Sequence, residues 1–320
     1  MLKIIQKLWE FKINLQTVLI TGGAGFIGSH IVDKLIKNNY KVVIIDNFSS
    51  GKMSNLAENS NIEIFNESIL SEYLDKIFEK TKPDFCIHLA AQTSVNYSIS
   101  MPFEDAQMNI LASIQLLELC KKYNIKKFIT ASSAAVYGMP RYLPIDENHS
   151  TEPISQYGLS KLTMEKYIKL SGIPYLIFRF SNAYGPRQNS SKESGVIAIF
   201  DKAMKNNEKI NIYGDGEQIR DFIYVEDIAE MCVKAIKSNI SNEVLNFSTN
   251  NGVTLNELFN KMANLYIYSQ KANYLPKREG DIKDSILLNE KISKVFPNIQ
   301  YTNLEDGLKN LMEYSLCKTN

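Results

Sequence analysis

Thr17-Val18-Leu19-Ile20-Thr21-Gly22-Gly23-Ala24-Gly25-Phe26-Ile27-Gly28 sets an apolar run against a glycine-rich turn, and Ser29 to Leu35 continue it in a helical pattern. Strand, glycine turn and helix in that order begin a βαβ unit suited to a dinucleotide. Glycines let the backbone approach a pyrophosphate, the helix N-terminus offers unpaired N–H groups at the positive end of its dipole, and a late glycine lets helix and strand pack closely. The spacing is GxxGxxG, at Gly22, Gly25 and Gly28. The next apolar run, Lys41 to Ile45, ends in Asp46. It lies about 20 residues on, where an acid accepts ribose hydroxyls and repels a 2′-phosphate. The expected cofactor is NAD rather than NADP.

Strand and helix patterns alternate downstream. A polar loop from Asn47 to Asn61 leads to strands at Ile62–Phe65 and Asp84–Leu89, with a helix around Ser71 to Glu79 between them. A long helix near Phe103 to Tyr123 precedes the strand Lys127–Ala131, which delivers Ser132-Ser133 at its C-terminal end. That end is the ligand edge of an open parallel sheet. A helix from Tyr157 to Leu170 and a strand at Tyr175–Phe180 complete a doubly wound α/β unit. Past Asn182 the rhythm loosens around Gly185-Pro186, Gly214-Asp215-Gly216 and Pro276, which predicts a smaller lobe over the sheet edge.

Tyr157-Gly158-Leu159-Ser160-Lys161 carries the chemistry. On a helix, residues four apart share a face, and the Lys161 ammonium is expected to lower the Tyr157 pKa by stabilising the phenolate. Alone, the pair is as common on solvated helices. With the glycine turn upstream and Ser133 at a strand end, it reads as a redox acid/base centre. Ser132 fits a strand-end cap better than a catalyst. His88, flanked by apolar residues, fits a hydrogen-bonded core histidine.

Bulk properties exclude more than they decide. A chain of 320 residues with formal net charge +1 holds a full α/β core but lacks the basic excess of a nucleic-acid binder. Cys86, Cys120, Cys232 and Cys317 are scattered without CxxC spacing, which predicts reduced thiols in a cytoplasmic protein. Three histidines, His30, His88 and His149, argue against a metal centre. No window matches a membrane span of about 20 apolar residues. Apolar residues alternate with Lys3, Lys7 and Lys12 in residues 1–16, so this N-terminal extension reads as a packed or frayed segment rather than an export signal.

In combination the motifs resemble the extended short-chain dehydrogenase/reductase family, in its nucleotide-sugar epimerase group and nearest the UDP-hexose 4-epimerases. They are TGGAGFIG (Thr21 to Gly28), Asp46-Asn47, HLAAQ (His88 to Gln92), SSAAVYG (Ser132 to Gly138), YGLSK (Tyr157 to Lys161), RFSNAYGPRQ (Arg179 to Gln188), GDGEQIRDFIYVEDIAE (Gly214 to Glu230) and REGDI (Arg278 to Ile282). The resemblance implies an NAD-binding domain over 17–181, to which a segment of about 222–247 returns, and a lobe over 182–320 that mainly binds a UDP-sugar. It implies that Gly22, Gly25, Phe26, Ile27 and Gly28 hold the pyrophosphate, and that Asp46 and Asn47 hold the adenosine ribose. Glu67 stands where relatives carry an adenine-contacting Asp. Leu89, Ala90 and Ala91 line the dinucleotide, Asn109 supports its nicotinamide side, and Phe180 keeps an aromatic ring where relatives carry Tyr. Tyr157, Lys161 and Ser133 are implied as catalytic. Thr93, Ser133, Asn182, Val196, Arg220, Arg278 and Asp281 fall where relatives bind the UDP-sugar, and arginine suits a diphosphate because its fork pairs with two oxygens.

The implied activity is inversion at C4 of a UDP-hexose through a 4-keto intermediate. Ala134-Ala135 stands where sugar-nucleotide dehydratases carry an Asp-Glu pair, which disfavours dehydration. Thr93 and Ser98 leave a UDP-glucuronate epimerase or decarboxylase as the alternative. A noncatalytic NAD-binding scaffold is the reading from another class, disfavoured by the intact Tyr157, Lys161 and Ser133. Ser285, by alignment, stands where a bulky residue restricts relatives to plain hexoses; its small side chain predicts that UDP-GlcNAc and UDP-GalNAc are accepted with UDP-glucose and UDP-galactose. Relatives pair the helices 103–123 and 157–170 into a two-fold bundle, so a homodimer is expected.

Overall fold

The computed structural model describes residues 15–189, 195–278 and 282–317. Thirteen strands are described: β1 (Thr17–Thr21), β2 (Lys41–Asp46), β3 (Ile62–Asn66), β4 (Phe85–His88), β5 (Lys127–Ser133), β6 (Tyr175–Phe180), β7 (Asn182–Tyr184), β8 (Asn211–Tyr213), β9 (Ile219–Tyr224), β10 (Glu243–Phe247), β11 (Gly252–Thr254), β12 (Asn273–Leu275) and β13 (Asp284–Ser285). Seven form a parallel sheet in the order β10-β6-β5-β4-β1-β2-β3. This is the doubly wound, Rossmann-like fold expected from the alternation.

β1 lies inside the sheet between β4 and β2, with Leu19 opposite Val43 of β2 and Cys86 of β4. Because strand side chains alternate, Val18 and Ile20 pack on one face and Leu19 on the other. The helices Phe26–Lys37 and Val225–Lys237 cover the first face, and Ala112–Lys122 and Gln156–Leu170 lie on the second. The first pair is fastened through His30, whose ring nitrogens face two acceptors, Glu226 Oε1 at 2.7 Å and the Pro186 carbonyl at 2.9 Å. A smaller apolar cluster, from Phe200, Leu258 and Leu308 among others, holds the helices Val196–Lys205, Leu255–Tyr266 and Leu304–Cys317 together over β9. The chain leaves the main sheet after β6, contributes β7, the helix Val196–Lys205, β8 and β9 to this part, returns through β10 beside β6, and then adds β11 to β13 and the helices Leu255–Tyr266 and Leu304–Cys317.

Two local expectations shift. The helix around Ser71 to Glu79 is Leu74–Thr81, because Ser68 and Ser71 accept from the N–H groups of Leu70 and Tyr73 and form turns first. The long helix at 103–123 is interrupted: Pro102–Ala106 and Ala112–Lys122 flank a π-helical turn, Gln107–Leu111. Asn109 sits in that turn. The segment 1–14 lies outside the described residues.

Candidate active site

On either side of β1 the sheet is built in opposite directions, so the loops after β1 and β4 part and leave a crevice. A cleft of about 320 Å³ opens there. Its floor is the glycine turn. Gly22 has φ +73°, and a Cβ on it would come within 2.8 Å of the Ala90 amide nitrogen. The helix Phe26–Lys37 follows with Gly25 as N-cap and no side chain capping it. Its first N–H groups have no intrahelical acceptor and face the cleft with Gly25, Phe26, Ile27 and Gly28. This is an anion cradle whose turn packs so closely on the Leu89–Ala90 backbone that a larger residue at Gly22 would force the two apart, and it fits a pyrophosphate.

Asp46, Asn47 and Glu67 line one end of the cleft, and Leu89, Ala90, Ala91 and Thr93 its wall. The buried Asp46 carboxylate accepts from Ala24 N at 2.9 Å and Phe48 N at 2.8 Å. It therefore holds the glycine turn against its own loop, with lone pairs left for a ribose. At the other end are Ser133, Tyr157, Lys161 and Phe180. Ser133 Oγ accepts from Ala135 N at 3.1 Å and is hydrogen-bonded to the Tyr157 phenol. The Tyr157 helix is seated from behind, where Ser98 Oγ accepts from Tyr157 N at 3.1 Å and Ser155 Oγ accepts from Gly158 N.

The electrostatics differ from the sequence expectation. Burial pushes the Tyr157 phenol up, Ser133 pulls it down, and Asp105 raises it further. Lys161 does not reverse this. Its Nζ lies 6.0 Å from the Tyr157 ring centre and donates to the Ala131 carbonyl at 3.3 Å, and burial brings its own pKa down to about 8. A spacing of four brings the two side chains together but does not fix where the amine points.

Several predicted residues stand off this cleft. Asn109 is buried behind it: its Oδ1 accepts from Gln92 N at 2.9 Å, and its Nδ2 donates to Gln92 O, Asp105 and Ser160. Ser98 is likewise buried, with its hydroxyl committed to Val95 O and Tyr157 N. Asn182 donates to the Asp221 carbonyl at 2.9 Å, and Val196 opens the helix Val196–Lys205. Arg220 borders a second pocket of about 200 Å³ with Tyr213 and Lys277. It donates there to the Ile219, Lys283 and Ile282 carbonyls. The Arg278 guanidinium stacks on Tyr213, 3.7 Å from the ring centre. Ser285 lies on β13 in register with Arg220. Asp281 lies outside the described residues.

His88 is a core histidine. Nδ1 meets Thr21 Oγ at 2.7 Å, Nε2 meets Ser113 Oγ at 2.9 Å, and burial lowers its pKa to about 3. Ser132 donates to Glu165 at 2.5 Å, and Glu165 is forked with Arg179. Sequence reading missed Ser49, Ser50, Met108, Ser181 and Ala183, which also line the cleft. Ser49 and Ser50 were detectable as the loop after Asp46, whereas Met108 arrives through the π-helical turn, which has no sequence signature. Among the described residues no cluster of His, Cys, Asp or Glu fits a metal ion, and no helix is long and apolar enough to cross a membrane.

Cleft and sheet together define a dinucleotide-binding α/β protein with a Tyr/Lys/Ser centre. Residues 18–247 match the NAD dependent epimerase/dehydratase family, and the chain belongs to it. A Methanocaldococcus jannaschii protein provisionally named UDP-glucose 4-epimerase is 44% identical over 303 residues, covering 93% of this chain and 97% of that one. The structure of UDP-glucose 4-epimerase from Thermotoga maritima with UDP-glucose matches with TM-score 0.91 at 40% identity, over 95% of this chain and 100% of that one. UDP-N-acetylglucosamine 4-epimerase from Methanobrevibacter ruminantium M1, in complex with UDP-N-acetylmuramic acid, matches with TM-score 0.90 at 38% identity, over 95% and 99%.

Proposed function

We propose that this chain is an NAD-dependent 4-epimerase of UDP-hexoses, with Tyr157 as the acid/base, Ser133 as the group that steadies the reacting oxygen, and Lys161 as its charged support. The observation that carries the reading is that Ser133, Tyr157 and Lys161 share one cleft with the glycine cradle and Asp46. The cradle would hold the pyrophosphate through the N–H groups at the start of the helix Phe26–Lys37, and Asp46 the ribose. The chemistry NAD supplies when bound is reversible hydride acceptance at the sugar C4, so configuration inverts when a 4-keto sugar takes the hydride back on its other face. Tyr157 removes the proton of the 4-hydroxyl and later returns it. Ser133 donates to the same oxygen, and Lys161, charged below about pH 8, supports the phenolate.

In this reading residues 17–181, with a return at about 222–247, form the cofactor domain, and 182–320 are mainly the substrate lobe. Asn182, Val196, Arg220, Arg278 and Asp281 are assigned to the UDP end, and of these Arg220 borders the pocket that Tyr213 lines. Asn109 is assigned to the wall behind the nicotinamide. Ser285 leaves space for a 2-acetamido group, so hexosamines are substrates as well. The uronate alternative loses Ser98, whose hydroxyl is already used twice. Ile99, Phe103, Leu111, Leu159 and Leu170 are exposed on the helices 95–122 and 156–170, Phe103 at 72% and Leu170 at 85%. A second copy covering them gives the proposed homodimer, working in the cytoplasm on galactose or polysaccharide precursors.

Incubation with UDP-glucose, UDP-GlcNAc and UDP-glucuronate, with C4 inversion followed by NMR, tests the proposal. Inversion of the first two supports it. Reduction of the cofactor without turnover points to an inert scaffold.

A further inference from the structure

Behind the Tyr157 helix lies a carboxylate whose two hydrogen-bond donors among the described residues are both uncharged. Asp105 is 1% exposed, and its Oδ1 accepts from the side-chain amides of Gln92 at 2.8 Å and Asn109 at 3.1 Å. Two neutral donors do not by themselves offset the desolvation of a carboxylate, so a positive charge within electrostatic reach is expected. The Asn109 amide that holds Asp105 also donates to Ser160 Oγ at 3.1 Å, and Ser160 donates to the Tyr157 carbonyl at 3.0 Å. This short chain ties Asp105 to the helical turn that runs from Tyr157 to Lys161. Lys161 is the buried cation on that turn, and its hydrogen bond goes to a neutral carbonyl, Ala131.

We infer that Asp105 is a positioning residue of the reaction, the fixed counter-charge of the Lys161 ammonium, anchored by Gln92 and Asn109. The inference rests on the epimerase reading of the cleft. A negative charge there favours the proton on both members of the pair: it raises Lys161 against the burial that lowers it, and raises Tyr157 alongside burial. The other groups around the pair act differently. Glu165, on the same helix, acts on Lys161 and is itself forked with Arg179 and hydrogen-bonded by Ser132. His88, on β4, is held neutral by burial, and Ser133 acts on Tyr157 through a hydrogen bond. Asp105 acts on both. Removing its charge but not its shape therefore moves both titrations toward acid, and the bell-shaped activity profile slides as a unit. Loss of a merely structural contact lowers the bell and leaves its limbs in place.

Asp105→Asn is the direct test, because an amide oxygen at that position still accepts from Gln92 and Asn109. Two quantities are read: the pH dependence of kcat/KM with a UDP-hexose and, independently of turnover, the Lys161 titration by NMR of 13Cε-labelled lysine, with the resonance assigned through Lys161→Met. The expected result is an acid shift of about one pH unit in both limbs and in the Lys161 midpoint, with Asp105→Glu keeping the wild-type midpoint. A lower bell with an unmoved midpoint overturns the inference. Should Asp105→Asn fail to fold, Asp105→Ser removes the same charge and is held to the same result. If the wild-type protein inverts no UDP-hexose, the epimerase reading fails, and the Lys161 midpoint still decides the role of Asp105.

Discussion

Lys161 reaches past the Tyr157 ring to the Ala131 carbonyl, with 6.0 Å from its nitrogen to the ring centre and 3.3 Å to the oxygen. The amine thus bridges the Tyr157 helix and the end of β5, where Ser133 emerges. Ser133 is the neighbour that lowers the phenol while burial raises it. The chemistry of oxidised NAD would add a positive charge that favours the phenolate.

Tyr157→Phe keeps the ring and removes the proposed acid/base group. Turnover should fall by about 10²- to 10⁴-fold, the usual scale of a positioned proton-transfer group. NAD released on denaturation should remain near one per chain. Appreciable residual inversion in the NMR assay would count against Tyr157.

The Lys161 ammonium is charged below about pH 8 and loses its proton above that value, because burial has brought it down from the ordinary 10.5. If the charge supports the phenolate, initial rates should decline as pH rises through about 8. Lys161→Met should abolish this alkaline limb together with most of the activity.

A Cβ on Gly28 would sit 2.1 Å from the Gly22 carbonyl oxygen, against backbone that cannot swing aside. Gly→Ala inside a helix ordinarily gains up to about 1 kcal/mol, but overpacking costs about 1–3 kcal/mol or more. The clash should win. Urea denaturation of Gly28→Ala should show a net loss of stability, and the purified variant should carry less NAD.

Glu226 accepts from His30 at 2.7 Å, and that hydrogen bond holds its carboxyl down to about 2 against an ordinary 4.5. A carboxylate lowered on folding stabilises the fold above its unfolded pKa, and this contribution is lost as pH falls from about 4.5 to about 2. Thermal melts between pH 5 and 2 should therefore fall less steeply for Glu226→Gln than for the wild type.

Ser285 stands in register with Arg220 on neighbouring strands. Ser285→Tyr should suppress inversion of UDP-GlcNAc while sparing UDP-glucose. Equal rates on both sugars in that variant would remove Ser285 from the specificity argument.

Much of this was legible in the sequence because the signals are local. Thr17 to Gly28 and Asp46 specify strand, turn and acid by spacing alone, and the structure brings Ser133, Tyr157 and Lys161 to the same cleft. What escaped depends on contacts made far along the chain. Asn109 carries the motif of a ligand contact, yet its amide is consumed by Gln92, Asp105 and Ser160. Ser98 reads as an available hydroxyl but caps the Tyr157 helix from 59 residues away. The direction of the Tyr157 shift depends on burial and on Asp105, neither of which a spacing of four reveals.

Asp46 joins two tasks that an engineer would wish to separate. Its carboxylate fastens Ala24 and Phe48 as well as lining the end of the cleft proposed for the ribose. Exchanging it for a residue tolerant of a phosphorylated ribose would also release both amides and loosen the turn beneath the pyrophosphate. Redirecting this scaffold toward the other nicotinamide coenzyme therefore calls for coordinated replacement of that loop, and descendants constrained to single changes would stay with the coenzyme they inherited.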